Sequence, residues 1–490
     1  MIRVEDTYYM VSTTMHFMPG CEILQSFDLV HWEHATYVYE TLDHTDAQQL
    51  KSGQNIYGQG MWAASLRYHE GRFYICFVAN DTRKTYLYTS EKIDGPWKKQ
   101  LIEGFYHDGS LLFDEDGRNY IVYGNDEIWI TELNEDLTAP KKDGLHRLLV
   151  SDHKNPELGY EGSHIQKING YYYIFLIHSL RDRWMRTEAC FYSDSLEGEF
   201  TGGDVLCDDR GYCGQGVAQG GIVDTPDGKW YAMLFQDSGA VGRIPILLPV
   251  TWKDHFPFFG QNGHVPEEIE VHSTRPGYIY QPLVGSDDFC NGLLPRWQFN
   301  HDPDPRYYHL DALQGTYTIT TREVCTELTQ AVNTLTQRMS YPSCAAEVTV
   351  DASALKEGDV AGLCALQSCY AAVGITKHHG KYEVLMLDKK EDGILDMTEG
   401  TVVESHQMDF RLEADFCNMK DEARCYYRVN KGDWLPIGTV HKLYFKLDHF
   451  TGCRFGLFCY AAEETGGSAC FRDFKYYDCL LYTSDAADEL

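Results

Sequence analysis

Polar turns and short apolar runs alternate along the chain, and over its first half they do so as a repeated unit. RVEDTYYMVST from Arg3, RYHEGRFYICFV from Arg67, FDEDGRNYIVYG from Phe113, KINGYYYIFLI from Lys167 and TPDGKWYAMLF from Thr225 each set a polar turn, usually with Gly, before an apolar strand that opens on an aromatic. The clearest copy is EGSHIQKINGYYYIFLI, Glu161 to Ile177, where Asn169-Gly170 supplies the positive φ values of a two-residue hairpin turn. The anchor aromatics Tyr9, Tyr74, Tyr120, Tyr172 and Tyr231 recur at intervals that match or exceed the ~40 to 50 residues of a four-stranded propeller blade. Second strands are expected at Ser26 to Trp32, Thr89 to Trp97 and Tyr192 to Phe200, each ending on an aromatic that plugs the space between sheets. The pattern predicts an all-β five-bladed propeller in which Tyr74, Tyr120, Tyr172 and Tyr231 serve packing.

The rhythm breaks after Phe256-Pro257-Phe258-Phe259-Gly260. Residues 263–285, with several Pro and Gly, read as a linker, and from 286 onward short alternating strands take over, among them Ala345 to Val350, Tyr382 to Leu387, Leu443 to Leu447 and Cys453 to Tyr460. That is a β-sandwich pattern without a cluster of catalytic type. Cys479 to Leu490 reads like a translated sequencing adapter and is excluded from fold reasoning. At the other end Val4 to Tyr9 is already the turn and strand of a hairpin, so a truncated start is expected. The expected organisation is a propeller over 1–262, a linker over 263–285, a sandwich over 286–478 and an artefactual tail over 479–490.

Composition narrows the partners. A chain of 490 residues with 43% hydrophobic and 13% aromatic residues is globular and too long for one ordinary core, and no apolar run is long enough to span a bilayer. A formal charge of -31 disfavours nucleic acid and leaves a neutral ligand such as a sugar unpenalised. The 16 cysteines are scattered without CxxC pairs, and Cys207 and Cys213 lack a companion motif. They read as reduced thiols, which favours a cytoplasmic setting, although a truncated start carries no information about a signal peptide.

Position singles out two carboxylates among the 73 acidic residues. Asp108, in YHDGSLLFDEDG, and Glu161, in GYEGSHIQKING, each stand just before a predicted strand of adjacent blades, which brings them to one end of the channel. Paired carboxylates around a sugar-sized cleft suit glycosidic bond hydrolysis, in which one protonates the leaving oxygen and another activates water. The alternative is that each merely caps a turn.

YYMVSTTMHFMPG, SFDLVHW, MWAASLRYHEGRFY, HDGSLLFDEDG, YEGSHIQKINGYYYIF, GGIVDTPDGKWYAMLFQDSGAVGR and PVTWKD, in this order, resemble glycoside hydrolase family 43, the β-xylosidase and α-L-arabinofuranosidase group. The resemblance covers about residues 1 to 260, and the region from 286 is similar to the concanavalin-like β-sandwich that follows in many such enzymes. It implies an inverting mechanism on terminal or side-chain pentose units of xylan-derived glycans. Glu161 would be the general acid, and Asp108 would orient it and tune its pKa. The general base would fall ahead of Met1, so the chain is expected to be crippled; Asp6 and Asp28 sit in turns and are not substitutes. The resemblance further implies substrate contacts from Arg243 in GAVGR and from His16 and Phe17 in TTMHFMPG; Trp62, by its place before the second predicted strand, either stacks a sugar face or serves packing. His164 reads as structural. Gln219 stands where some relatives carry a His beside a central calcium or water, and no calcium-loop pattern is present, so no cofactor is required, a structural calcium is doubtful and the metal content is left open. Two other readings stay open. One is a propeller that binds carbohydrate without cleaving it, and the other is a glycoside phosphorylase, which needs a basic phosphate cluster in the funnel.

Overall fold

In the computed structural model, which describes residues 1–478, five antiparallel four-stranded sheets follow one another as blades. Blade I comprises Ile2–Val4, Thr7–Ser12, Gly20–Ser26 and Glu33–Tyr39; blade II, Met61–His69, Arg72–Ala79, Lys84–Ser90 and Lys98–Ile102. Blade III comprises Ser110–Phe113, Asn119–Asn125, Glu127–Leu133 and His146–Ser151; blade IV, Glu161–Ile168, Tyr171–Ser179, Arg186–Ser193 and Thr201–Leu206. Blade V comprises Ala218–Asp224, Trp230–Asp237, Arg243–Lys253 and Phe256–Phe259. The Asn169-Gly170 turn has the expected positive φ at both positions, 52° and 84°.

Two expectations shift within the blades. The strands opening on Tyr9, Tyr74, Tyr120, Tyr172 and Tyr231 are the second of each blade, because each polar turn joins them back to a strand lying before it. The segments ending at Trp32, Trp97 and Phe200 are turns between third and fourth strands. Their aromatics nevertheless pack between sheets: Trp97 joins the core of blades I and II, Phe200 that of blades III and IV. Trp32 joins the core that closes the ring, with Tyr8 of blade I and Val223, Tyr231 and Met233 of blade V. An Arg3–Asp224 ion pair crosses the same seam.

Residues 286–478 form two packed sheets around an apolar core that includes Trp297, Phe299, Val348, Phe410, Leu412, Phe455 and Phe471. Predicted strands appear as Ser343–Asp351, Lys381–Lys389 and Arg454–Tyr460. The expectation of a strand at Leu443 to Leu447 is wrong. The strand there is Leu435–Lys442; Leu443 is buried as a core anchor, and the chain then leaves the sheet toward the propeller. The two parts are joined by a shared sheet, in which Phe17–Met18 pairs with Gln298–Asn300. The adapter-like tail lies outside the described residues. No helix among them is long and apolar enough to cross a membrane.

Candidate active site

Three first strands carry a β-bulge at one end, with register slips between Met61 and Ala64, Glu161 and His164, and Ala218 and Gly221. A bulge adds a residue, bends the strand and re-aims its side chains. Trp62, Glu161, His164 and Gln219 thereby line a cavity of about 540 Å³. Asp108 reaches the same wall from the turn before Ser110–Phe113, at a φ of 48° that Asp tolerates better than most side chains.

Asp108 is buried, and its Oδ2 accepts a hydrogen bond from the Gly162 N–H at 3.1 Å. Glu161 Oε2 accepts one from Asn125 Nδ2 at 2.7 Å. His107 sits between the two carboxylates, its Nε2 3.7 Å from Asp108 Oδ2 and 3.7 Å from Glu161 Oε2. Burial pushes the Asp108 carboxyl up to about 6; His107 opposes the rise and Glu161 adds to it. Burial lowers the His107 imidazole, but contact with Glu161 and the two negative charges outweigh it and hold the ring above its ordinary value. Asp108 and Glu161 are the carboxylates in the cavity wall. Asp6 is paired with Arg275 and Asp28 with His31, both in turns.

Arg243 lies between the rings of Phe235 and Phe450, 4.3 Å from each centroid, with its Nε 3.4 Å from Asp237 Oδ1. Burial and the neighbouring Arg186 lower its pKa to about 10, which leaves it charged. Phe450 belongs to the sandwich, as do Arg338, Leu447 and Thr451 in the same wall. Trp62 meets Phe450 edge to face at 5.5 Å.

His16 and Phe17 are placed elsewhere. Both are fully buried at the seam between propeller and sandwich, outside the cavity wall. The TTMHFMPG loop folds back, with Thr14 Oγ1 accepting the Cys21 N–H, and hands Phe17–Met18 to the sandwich sheet. His16 packs there against Tyr57, His301 and His449. The residues that sequence reasoning missed are His107, Asn125, Trp184, Arg186, Arg338 and Phe450. Only His107, adjacent to Asp108, carried a local signal.

Burial, more than any neighbouring charge, pushes His164 down to about 3, so its ring stays neutral. His107, Asp108 and Glu161 bring ligand-type atoms within 4.8 Å of one another, the one such group among the described residues.

The sequence profile of glycosyl hydrolases family 43 matches residues 1–257. The chain belongs to that family. A second profile, the beta xylosidase C-terminal concanavalin A-like domain, matches residues 286–477. As a family 43 member the chain is a glycoside hydrolase with a carbohydrate substrate. It is 25% identical to a beta-xylosidase of Formosa agariphila over 95% of this chain and 86% of the relative. It is 24% identical to the non-reducing end alpha-L-arabinofuranosidase BoGH43B of Bacteroides ovatus over 81% of this chain and 77% of the relative. Among solved structures, a bifunctional GH43-CE protein of Bacteroides eggerthii superposes with a TM-score of 0.90 at 42% identity. The match covers 98% of this chain and spans 62% of that longer protein.

Proposed function

We propose that the protein releases terminal or side-chain pentose units from xylan-derived glycans by an inverting acid–base mechanism. The observation that carries this reading is the convergence of Asp108 and Glu161, tied through Gly162 and His107, in a cavity whose other walls are aromatic and cationic. In this mechanism Glu161 gives its proton to the glycosidic oxygen as the C1–O bond breaks. Water attacks C1 from the opposite face and its proton passes to bulk solvent, which inverts the anomeric centre. Asp108 holds the Gly162 N–H, fixing the backbone beside Glu161 and placing a negative charge near it. Asn125 orients the acid. Trp62, Arg243 and Gln219 hold the sugar ring, with no cofactor taking part.

Asp108 and Glu161 lie together, so neither stands on the opposite face to serve as base; inverting pairs are ~6.5 to 9.5 Å apart. Turnover by the chain is therefore proposed to be slow at water activation, a step worth ~10² to 10⁴-fold. A reducing compartment such as the cytoplasm suits the cysteines, all free among the described residues.

Leaving-group dependence tests the acid. Glu161→Gln should cost ~10² to 10⁴-fold on alkyl xylosides and far less on dinitrophenyl xylosides, whose leaving group needs no proton. Equal losses would overturn the assignment. Azide, a nucleophile that needs no base, should accelerate turnover of the unaltered chain; no acceleration would show that water activation is not what limits it.

A further inference from the structure

The cavity holds buried guanidinium groups that a neutral pentose does not require. Arg186 and Arg243 line it together with Asp108 and Glu161, whereas Arg338, in the same wall, is paired with Glu22 at 3.0 Å. Arg186 and Arg243 share one buried carboxylate, Asp237, whose Oδ2 is 2.8 Å from Arg186 Nη1 and whose Oδ1 is 3.4 Å from Arg243 Nε. Arg186 is only 6% exposed; its Nη1 is ion-paired with Asp237, and its Nε has no hydrogen bond. Two guanidinium groups on one carboxylate leave a net positive charge beside the cavity. A buried charge that is only half compensated is costly unless another group completes it. At the same place Trp184, 43% exposed, stacks near the Arg186 guanidinium at 5.3 Å and lines the cavity wall. An aromatic face next to a guanidinium fork is a surface for a sugar ring that carries a carboxylate.

We infer that the cavity accommodates, beside the pentose cleaved at Glu161, a uronic acid residue whose carboxylate is received by Arg186 together with Arg243 and whose ring lies against Trp184. The substrate class is then an acidic xylo-oligosaccharide. Its carboxylate replaces the missing half of the charge balance around Asp237. This inference rests on the reading of the cavity as a sugar site.

The test is calorimetric titration of the full chain carrying Glu161→Gln with xylobiose and with glucuronosyl-substituted xylobiose. The acidic ligand should bind about tenfold tighter or more, a gap that narrows as salt rises. Arg186→Met, checked for folding by circular dichroism, should close the gap. Asp237→Asn, which removes the shared carboxylate, should widen it and serves where Arg186→Met does not fold. Equal affinity for both ligands, or a gap that survives Arg186→Met, would overturn the inference. So would displacement of the acidic ligand by inorganic phosphate at comparable concentration, since that would mark a general oxyanion site of the kind a phosphorylase needs. If neither sugar binds, the sugar-site reading fails, and the inference fails with it.

Discussion

The Asp108 carboxylate takes the backbone N–H of Gly162 at 3.1 Å, so a buried acid of one blade holds the residue that follows Glu161 on the next. The bond fixes where Glu161 begins its strand, and it is the one hydrogen bond recorded for a carboxyl that burial raises to about 6. A carboxyl raised in the folded state binds its proton more tightly there than in the unfolded chain. Its effect is therefore neutral below about pH 4, and stability is lost as pH rises toward and through 6.

Asp108→Asn should accordingly stabilise the protein at pH 7, by about 3 kcal/mol from a shift of this size, while leaving stability near pH 4 almost unchanged. Asn suits the positive φ as well as Asp does. Urea midpoints at the two pH values measure this. The same variant should lose activity on alkyl xylosides, which would mark Asp108 as a group kept for function at a cost in stability. A stability loss at pH 7 would contradict the account.

The blades were legible because a two-residue period, Asn-Gly and Asp-Gly turns and anchoring aromatics are local signals, and local signals also placed Asp108 and Glu161. What stayed hidden depends on docking across long sequence separations. Phe450 and Arg338 enter the cavity from the sandwich, and nothing in DHFTGCR reads as a cavity wall. Arg186 reads as an ordinary strand residue until blade V brings Asp237 to it. The pairing of Phe17–Met18 with the sandwich is two residues long, too short for any period to announce.

Gly162 has a φ of 65°, and a Cβ there would stand 2.6 Å from Gln219 Nε2. Gly162→Ala should destabilise by about 1 kcal/mol or more through backbone strain and the clash, and should weaken activity by moving Glu161. Gly162→Ala combined with Gln219→Ala should recover the clash but not the strain. A double-mutant cycle in urea gives the two shares, and an additive cycle would mean that the side chains never meet.

Phe450 covers one face of Arg243 while Phe235 covers the other. Phe450→Ala removes one of the two cation–π contacts, each worth ~0.5 to 2 kcal/mol, and opens the wall beside Trp62. Sugar binding measured by titration should weaken several-fold, with less effect on the rate of the chemical step at saturation. An unchanged dissociation constant would place the sandwich outside the site.

His16 gives the sharpest contrast between a binding and a packing role. Its ring is fully buried among Tyr57, His301 and His449. Burial, followed by the nearby His301, His449 and Arg454, holds its pKa well below the ordinary imidazole value, so it stays neutral. His16→Ala should leave a cavity at the domain seam and cost about 2 to 4 kcal/mol of stability by analogy with other large-to-small core changes. Affinity for xylobiose at temperatures well below unfolding should stay within about twofold, since a seam residue touches no sugar. A sugar contact would give the opposite pair of results, weakened binding with near-normal stability, and thermal unfolding together with titration calorimetry distinguishes the two.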